Sequence, residues 1–409
     1  MTRRGVQAVL DALQMKEPCA GALRSVSASD WRAVLDWCDG CQVTLLLRYL
    51  HGNRLPEIVQ DRMEACQAAA VQRFARLQTE LSEVVAALNA SGIEFVLLKG
   101  MTHAPGLSPN PIIRAQGDID LWFDGESVYD AREVLSRLGY VARPRHRDAS
   151  RHLAPMVRPN AWQWRGDRFD PDIPISVELH HTLWSDDAEY IRVPGIGEFR
   201  NRTVMRTFGV HAVRVLCEED LLGFAALHFL LHLVHGDLPL QRAWEIARFL
   251  HTRCGDVQFW RSWEQLHSPE LRLLEFVAFD TVRRWFGCAV PQFIAERIAC
   301  LPDPVRGWLC RSSRAPLERT FRPNKDELWL HLALIPSRRD RARVLLRRLV
   351  PNQRPKPAVR WERLWHHART LAPAVTGGAR YLWNGGQRAH LGAIDPHSTA
   401  LPMPRAHSE

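Results

Sequence analysis

Residues 97–121 read LLKGMTHAPGLSPNPIIRAQGDIDL. The apolar run EFVLLK (94–99) and the alternating apolar and acidic residues of DIDLWF (118–123) both predict β-strands. Side chains two residues apart lie on the same face of a strand. We therefore expect Asp118 and Asp120 to point together, while their apolar neighbours enter the core.

The pair Asp118 and Asp120 lies in a strongly apolar segment, which indicates a central strand. Two carboxylates in such a place repel each other and are costly to bury unless a cation lies between them. Mg²⁺ suits this role, because carboxylates bind it together with substrate phosphates. The alternative is an exposed strand face that carries two solvated acids. We favour the metal site.

A third acid occurs in another apolar segment, ISVELHHTL (175–183), which also predicts a strand. Glu178 and His180 share one face of this strand. If the two strands are neighbours, Glu178 completes a carboxylate cluster with Asp118 and Asp120. Such a cluster can hold two metal ions, which activate an attacking hydroxyl and stabilise a leaving pyrophosphate. His180 would orient a phosphate or relay a proton.

Three residues close to these acids in sequence are candidates for binding phosphate. Gly100 follows a strand, so the turn that it begins offers free backbone N–H groups. Lys99 and Arg114 flank the turn, and either side chain would neutralise phosphate charge. Lys99 is notable because the chain contains only four lysines. The alternatives are a lysine at the edge of a strand and an arginine in a surface salt bridge.

Changes of pattern divide the chain into four segments. Helical spacing of apolar residues predicts a helical region over 1–90, strand patterns predict a mixed α/β region over 91–216, and helical spacing returns over 217–335. The last segment, 336–409, combines a basic amphipathic helix with a tail. Within the second segment, strand patterns also occur at 161–164, 203–208 and 211–216.

The bulk properties favour a protein of the cytoplasm. The formal net charge of +9 over 409 residues suits a protein that handles polyphosphates, but it is too weak to indicate nucleic-acid binding by itself. Among the nine cysteines, Cys38 and Cys41 form a CxxC without a second pair at zinc spacing, so we interpret them as buried thiols. We recognise neither a signal peptide nor a transmembrane segment.

The order of these motifs resembles a known family. LLKG, R-x-x-GDIDL and VELH, followed by a helix with spaced histidines and by WEIA (244–247), resemble the bacterial uncharacterised nucleotidyltransferases of the DNA polymerase beta-like superfamily. The resemblance covers roughly residues 25–255. It implies an α+β fold, in which a mixed sheet is flanked by N-terminal and C-terminal helical regions. The chain departs from the superfamily pattern after the first strand, where Gly-Ser or Gly-Gly is usual, and in using Glu as the third acid.

The resemblance also implies an activity and roles for the site residues. A nucleotidyl group would pass from a nucleoside triphosphate to a hydroxyl, with release of pyrophosphate. The three acids would bind two Mg²⁺ ions, or Mn²⁺ in their place, and Glu178 would also accept the proton of the attacking hydroxyl. Lys99, Gly100 and Arg114 would hold the triphosphate. The acceptor stays open: a small molecule, a peptide, a carbohydrate, a protein or an RNA end.

Two other functions remain open at this point. A phosphoryl or sugar-phosphate donor would use the same metal ions in a related transfer. A non-catalytic scaffold would bind a nucleotide through the same carboxylates without turning it over. We favour the nucleotidyltransferase.

Two further features have open interpretations. His228, His232 and His235 lie at i, i+4 and i+7 on one helix face; we favour a buried face near the nucleotide, or plain core packing, over a zinc site. The stretch 338–369 contains eleven Lys or Arg and two acids. We favour a solvated helix face there over a surface that binds an anionic polymer or a membrane.

Overall fold

Seven strands form one mixed sheet in the computed structural model, which describes residues 2–143 and 149–349. The strands are β1 (Val96–Leu98), β2 (Asp118–Trp122), β3 (Val141–Ala142), β4 (Met156–Val157), β5 (Ser176–His180), β6 (Val204–Phe208) and β7 (His211–Val215). Their order across the sheet is β3-β4-β5-β2-β1-β7-β6. Three strands therefore lie on each side of β2, which confirms that the DIDLWF segment is central.

Helices precede, interrupt and follow the strands in the described part of the chain. Before β1 lie α1 (Arg3–Ala12), α2 (Ala20–Arg24), α3 (Ala28–Gly40), α4 (Thr44–His51) and α5 (Glu57–Ala90). Among the strands lie α6 (Ser127–Arg137) and α7 (Asp186–Glu189). After β7 lie α8 (Glu218–His235), α9 (Leu240–Arg253), α10 (Val257–Leu266), α11 (Pro269–Phe286), α12 (Gln292–Ala299), α13 (Asp303–Ser312), α14 (Ala315–Glu318), α15 (Asp326–Leu334) and α16 (Arg338–Leu349). The predicted α+β fold is confirmed.

The long helix α5 covers one face of the sheet. It buries an apolar stripe at three- to four-residue spacing, which includes Leu77, Leu81 and Leu88. This stripe shares a hydrophobic cluster with Ile119 and Leu121 of β2. Because side chains alternate along a strand, the two aspartates of β2 face the opposite side of the sheet.

The other face of the sheet meets a second hydrophobic cluster. Val96 and Leu98 of β1 belong to it, together with Phe224 and Leu227 of α8 and with Val9 of α1. Helices from before and after the strands therefore share one core. The division of the chain into segments at residues 90, 216 and 335 stays a prediction.

The strand predicted at 161–164 is wrong. These residues form no strand, and β4 is the antiparallel neighbour of β5 instead. The Asn160 side chain accepts a hydrogen bond from the backbone N–H of Trp162, and the Trp162 indole donates one to Asp170. Such local side-chain bonds compete with pairing in a sheet. The two later predicted strands are confirmed as β6 and β7.

The basic C-terminal segment is described only in part. A helix beginning at Arg338 is confirmed as α16, whereas the rest of the basic stretch, 350–369, and the predicted tail lie outside the described residues. Among the helices that the structure describes, none combines the length and apolarity needed to cross a membrane. Cys38 and Cys41 are buried free thiols, as predicted, and burial raises the pKa of Cys41 to about 12.

A buried charge network joins the helices that follow the sheet. His267 Nδ1 lies 2.9 Å from Glu275 Oε2, and its Nε2 lies 3.2 Å from Asp220 Oδ1. Arg202 donates two hydrogen bonds to the same Asp220 carboxylate. Burial alone would lower the pKa of His267, but the two carboxylates raise it to about 9. His267 is therefore protonated in the folded protein at neutral pH.

This network predicts a loss of stability in mild alkali. Because the pKa of His267 is higher in the folded chain than its ordinary value of about 6.5, the stabilisation is complete below about pH 6.5 and is lost as the pH rises towards 9. The free energy of unfolding should fall by about 3 kcal/mol over this range. Urea denaturation between pH 6 and pH 10 measures it. The His267→Gln variant should be less stable at pH 6 and should show a shallower decline; equal declines in both proteins would contradict the prediction.

Candidate active site

Strand pairing brings the acids of β2 and β5 together. The two strands are parallel neighbours, and Asp120 lies opposite Glu178 in the register. Asp118 lies opposite Ser176, two residues earlier on the same face. The predicted adjacency of the two strands is confirmed, and all three acids lie on one side of the sheet.

Asp120, Glu178 and His180 form the tightest part of this cluster. One potential ligand atom from each lies within 4.8 Å of the other two. His180 Nε2 is 2.8 Å from Asp120 Oδ1 and 3.5 Å from Glu178 Oε2. Two carboxylates and an imidazole are a donor set that can hold a divalent metal ion. His180 is therefore also a potential metal ligand. The sequence pattern predicted that His180 shares a strand face with Glu178, but it did not predict this role.

Asp118 lies at the edge of the group. Burial raises the pKa of its carboxyl, and the charge of Asp120 and that of Glu178 raise it further, against a smaller opposing effect of Lys99 and Arg114. Mutual repulsion of this kind means that a cation between the acids would stabilise their ionised forms. Binding of metal by all three acids stays a prediction.

Lys99 supplies positive charge inside the cluster. Its buried Nζ lies 2.6 Å from Asp120 Oδ1 and 3.9 Å from Glu178 Oε2. Burial alone would raise the pKa of Asp120, but Lys99 and His180 hold that pKa well below its usual range. The backbone of Lys99 has a φ of +49°, a left-handed value that is uncommon outside glycine and that occurs often at functional sites.

The turn after β1 approaches the segment before β2 very closely. Gly100 has a φ of +39°, and a Cβ at this position would lie 2.8 Å from Gln116 Oε1. That oxygen is buried and accepts no hydrogen bond within the part of the chain that the structure describes. Arg73 of α5 fixes the segment by donating a hydrogen bond to the backbone carbonyl of Gln116. The positive φ and this close approach both favour glycine at position 100.

Arg114 forms a buried ion pair rather than a surface one. Its NH1 lies 2.9 Å from Glu245 Oε2, and His103 Nδ1 lies 2.9 Å from the same oxygen. Burial would raise the pKa of Glu245, yet Arg114 and His103 lower it to about 2. This contact joins the segment before β2 to the WEIA segment of α9. A contact of Arg114 with phosphate stays a prediction.

The three histidines of α8 separate into two groups. His228 Nε2 is 3.1 Å from His232 Nε2, and His232 Nδ1 is 2.9 Å from Asp237 Oδ2. His235 instead forms a hydrogen bond with Glu189. Burial and nearby basic side chains hold the pKa of His228 well below its usual range, so its imidazole is neutral. None of the three belongs to a group of potential metal ligands among the described residues.

Two arginines near the cluster are not among the residues predicted from the sequence. Burial lowers the pKa of Arg242 to about 10, with a further lowering from Arg114, whereas Asp118 raises it. Burial also lowers the pKa of Arg151, whereas the nearby acids Glu189 and Glu178 raise that pKa. Arg242 precedes Glu245 of the WEIA segment by three residues, so helical spacing places both on one side of α9. This spacing from the WEIA segment is the sequence signal that could have indicated Arg242.

Comparison with known proteins agrees with the motifs. A family model described as uncharacterised nucleotidyltransferase matches residues 27–287, so the chain belongs to this family. This match confirms the resemblance to the uncharacterised nucleotidyltransferases. The matched residues include all seven strands of the sheet together with α8 and α9. The match therefore covers the acids of β2 and β5 and Glu245 of α9. No curated protein and no solved structure matches the chain.

Replacing Lys99 with Met should make stability depend on added divalent cations. Without the ammonium, the buried Asp120 carboxylate loses its nearest counter-charge, which costs on the order of 3 kcal/mol. The melting temperature of the variant should fall in EDTA, and millimolar Mg²⁺ should raise it more than it raises that of the parent protein. Lys325→Met, at the N-cap of α15, is the matched control and should respond to Mg²⁺ as the parent does. A Lys99→Met variant as stable as the parent in EDTA would refute the counter-charge role.

Proposed function

We propose that the chain transfers a nucleotidyl group from a nucleoside triphosphate to a hydroxyl of an acceptor, with release of pyrophosphate. The observation that carries this proposal is the meeting of Asp118, Asp120 and Glu178 on adjacent strands of a chain that belongs to a nucleotidyltransferase family.

The acids fit divalent metal ions by their chemistry. They offer hard carboxylate oxygens beside one another, and their repulsion is relieved by added positive charge. Mg²⁺, held by Asp118, Asp120 and Glu178, is the ion that best suits this donor set. Bound there, metal ions would polarise the phosphate oxygens and neutralise charge on the attacking and leaving groups.

Exposure assigns different tasks to the acids. The Glu178 side chain is 21 % exposed, whereas that of Asp120 is 2 % exposed. An acceptor hydroxyl can therefore reach Glu178, which we assign as the group that accepts its proton. Asp120, held by hydrogen bonds from Lys99 and His180, stays ionised and fixed in place.

The remaining predicted residues would bind or position the nucleotide. Lys99 and His180 adjoin the acids, and their side-chain N–H groups, together with the backbone N–H of Gly100, would contact the phosphates. Arg114 would act through its ion pair with Glu245, by holding the segment before β2 against α9. The fixed geometry of the acids is what in-line transfer requires.

Neutral replacements of the acids test the proposal. Asp118→Asn, Asp120→Asn and Glu178→Gln keep the side-chain shape but remove charge, so each should reduce pyrophosphate release at least about 100-fold. The assay supplies the four nucleoside triphosphates, Mg²⁺ and a cell extract as the source of acceptor. It follows pyrophosphate release and the transfer of an α-phosphate label to the acceptor, whereas phosphoryl transfer would label the acceptor only from the γ-phosphate.

Asp36→Asn is the matched control, because the Asp36 side chain is 65 % exposed in a salt bridge on α3. This variant should retain the parent rate, and circular dichroism should show that all variants are folded. Labelling by the three acid variants at the parent rate would reject the proposal.

A further inference from the structure

Arg242 is a cation without a partner in the described structure. It lies in the first turn of α9, and its Nε atom is fully buried and makes no hydrogen bond to any described residue. The nearest acid on the same helix, Glu245, already binds Arg114 and His103 at 2.9 Å. A half-buried guanidinium whose buried N–H has no partner among the described residues is unfavourable unless an anion binds it. The Arg114–Glu245 ion pair joins α9 to the segment that leads into Asp118, and the charges of Asp118 and Asp120 act on Arg242, so the anion would lie beside the acid cluster.

Arg151 reaches the same cluster from the β5 side. Its backbone carbonyl accepts hydrogen bonds from the N–H groups of His181 and Thr182, directly after β5. Burial lowers the pKa of its guanidinium, whereas the charges of Glu189 and Glu178 raise it. Its side chain makes no hydrogen bond or ion pair with the residues that the structure describes. Arg151 is therefore a second cation near the acids whose donors have no partner within residues 2–143 and 149–349.

The charges at the site balance when both arginines are counted. The three acids carry three negative charges, and Lys99 together with Arg242 and Arg151 carries three positive ones. The ion pair Arg114–Glu245 adds no net charge. A triphosphate with about four negative charges and two divalent cations would then bind together without creating an excess of either sign. The planar fork of an arginine also matches two oxygens of a phosphate group.

We propose that Arg242 and Arg151 bind the phosphate chain of the nucleoside triphosphate, Arg242 beside Asp118 of β2 and Arg151 beside Glu178 of β5. Lys99 already pairs with a carboxylate, so the arginines supply the free donors of the site. This inference rests on the proposed function, because it names the groups that hold the donor of that reaction. It assigns to α9 a direct part in binding the substrate.

Binding of inorganic tripolyphosphate to the full chain tests the assignment separately from catalysis. In the presence of Mg²⁺, isothermal titration should give a dissociation constant for the parent that rises at least about 10-fold in Arg242→Met and in Arg151→Met. Non-hydrolysable analogues of the four nucleoside triphosphates should show the same losses. Arg242→Lys, which keeps the charge but not the fork, should lie between the parent and Arg242→Met.

Stability without ligand separates binding from a structural role. Because Arg242→Met removes a half-buried charge that has no partner among the described residues, its melting temperature should equal or exceed that of the parent, while its stabilisation by tripolyphosphate is lost. Arg253→Met, on the same helix but in exposed salt bridges with Glu218 and Asp256, is the matched control and should bind tripolyphosphate like the parent.

The outcomes distinguish this inference from the proposed function. Equal tripolyphosphate binding by the parent and by both methionine variants would overturn the inference and leave the carboxylate chemistry standing. Arginine-dependent binding in a chain that transfers no nucleotidyl group would support the arginine site and reject the proposed function. A parent that binds neither tripolyphosphate nor any nucleotide analogue would overturn both.

Discussion

The hydrogen bond between Lys99 and Asp120 makes the rest of the site feasible. Three carboxylates on one face of a central strand pair would repel each other and pay heavily for burial. The Lys99 ammonium, 2.6 Å from Asp120 and 3.9 Å from Glu178, offsets this within the apolar sheet. The positive φ values of Lys99 and Gly100 shape the turn after β1 so that the Lys99 ammonium lies beside Asp120. The turn after β1 and the acids of β2 therefore depend on each other.

A second constraint ties the sheet to the helices that follow it. Arg114 and His103 share the Glu245 carboxylate of α9 and thereby hold that helix against the segment before β2. The acids face this side of the sheet, away from α5. The site therefore lies between two layers, in which strands provide the carboxylates and α9 provides Arg242. Neither layer alone contains the full set of charged groups.

The spacing of residues within single strands and helices predicted the features that depend on neighbouring residues alone. Alternation along β2 and β5 was enough to place Asp118, Asp120 and Glu178 on one face, and helical spacing was enough to predict α5, α8 and α9. The partners of charged side chains were beyond reach, because Lys99–Asp120 and Arg114–Glu245 join residues that are distant in sequence. The strand predicted at 161–164 failed because Asn160 and Asp170 satisfy the polar groups of Trp162 locally.

The shared core of the first and last helices has a consequence for dissecting the molecule. Val9 of α1 and Trp285 of α11 belong to one hydrophobic cluster, and Gln14 donates a hydrogen bond to the Trp285 carbonyl. A fragment that contains only the strands and their nearest helices would expose a large apolar surface to water. The smallest autonomous folding unit is thus larger than the segment bearing the acids, and the amino-terminal helices belong inside any excised piece.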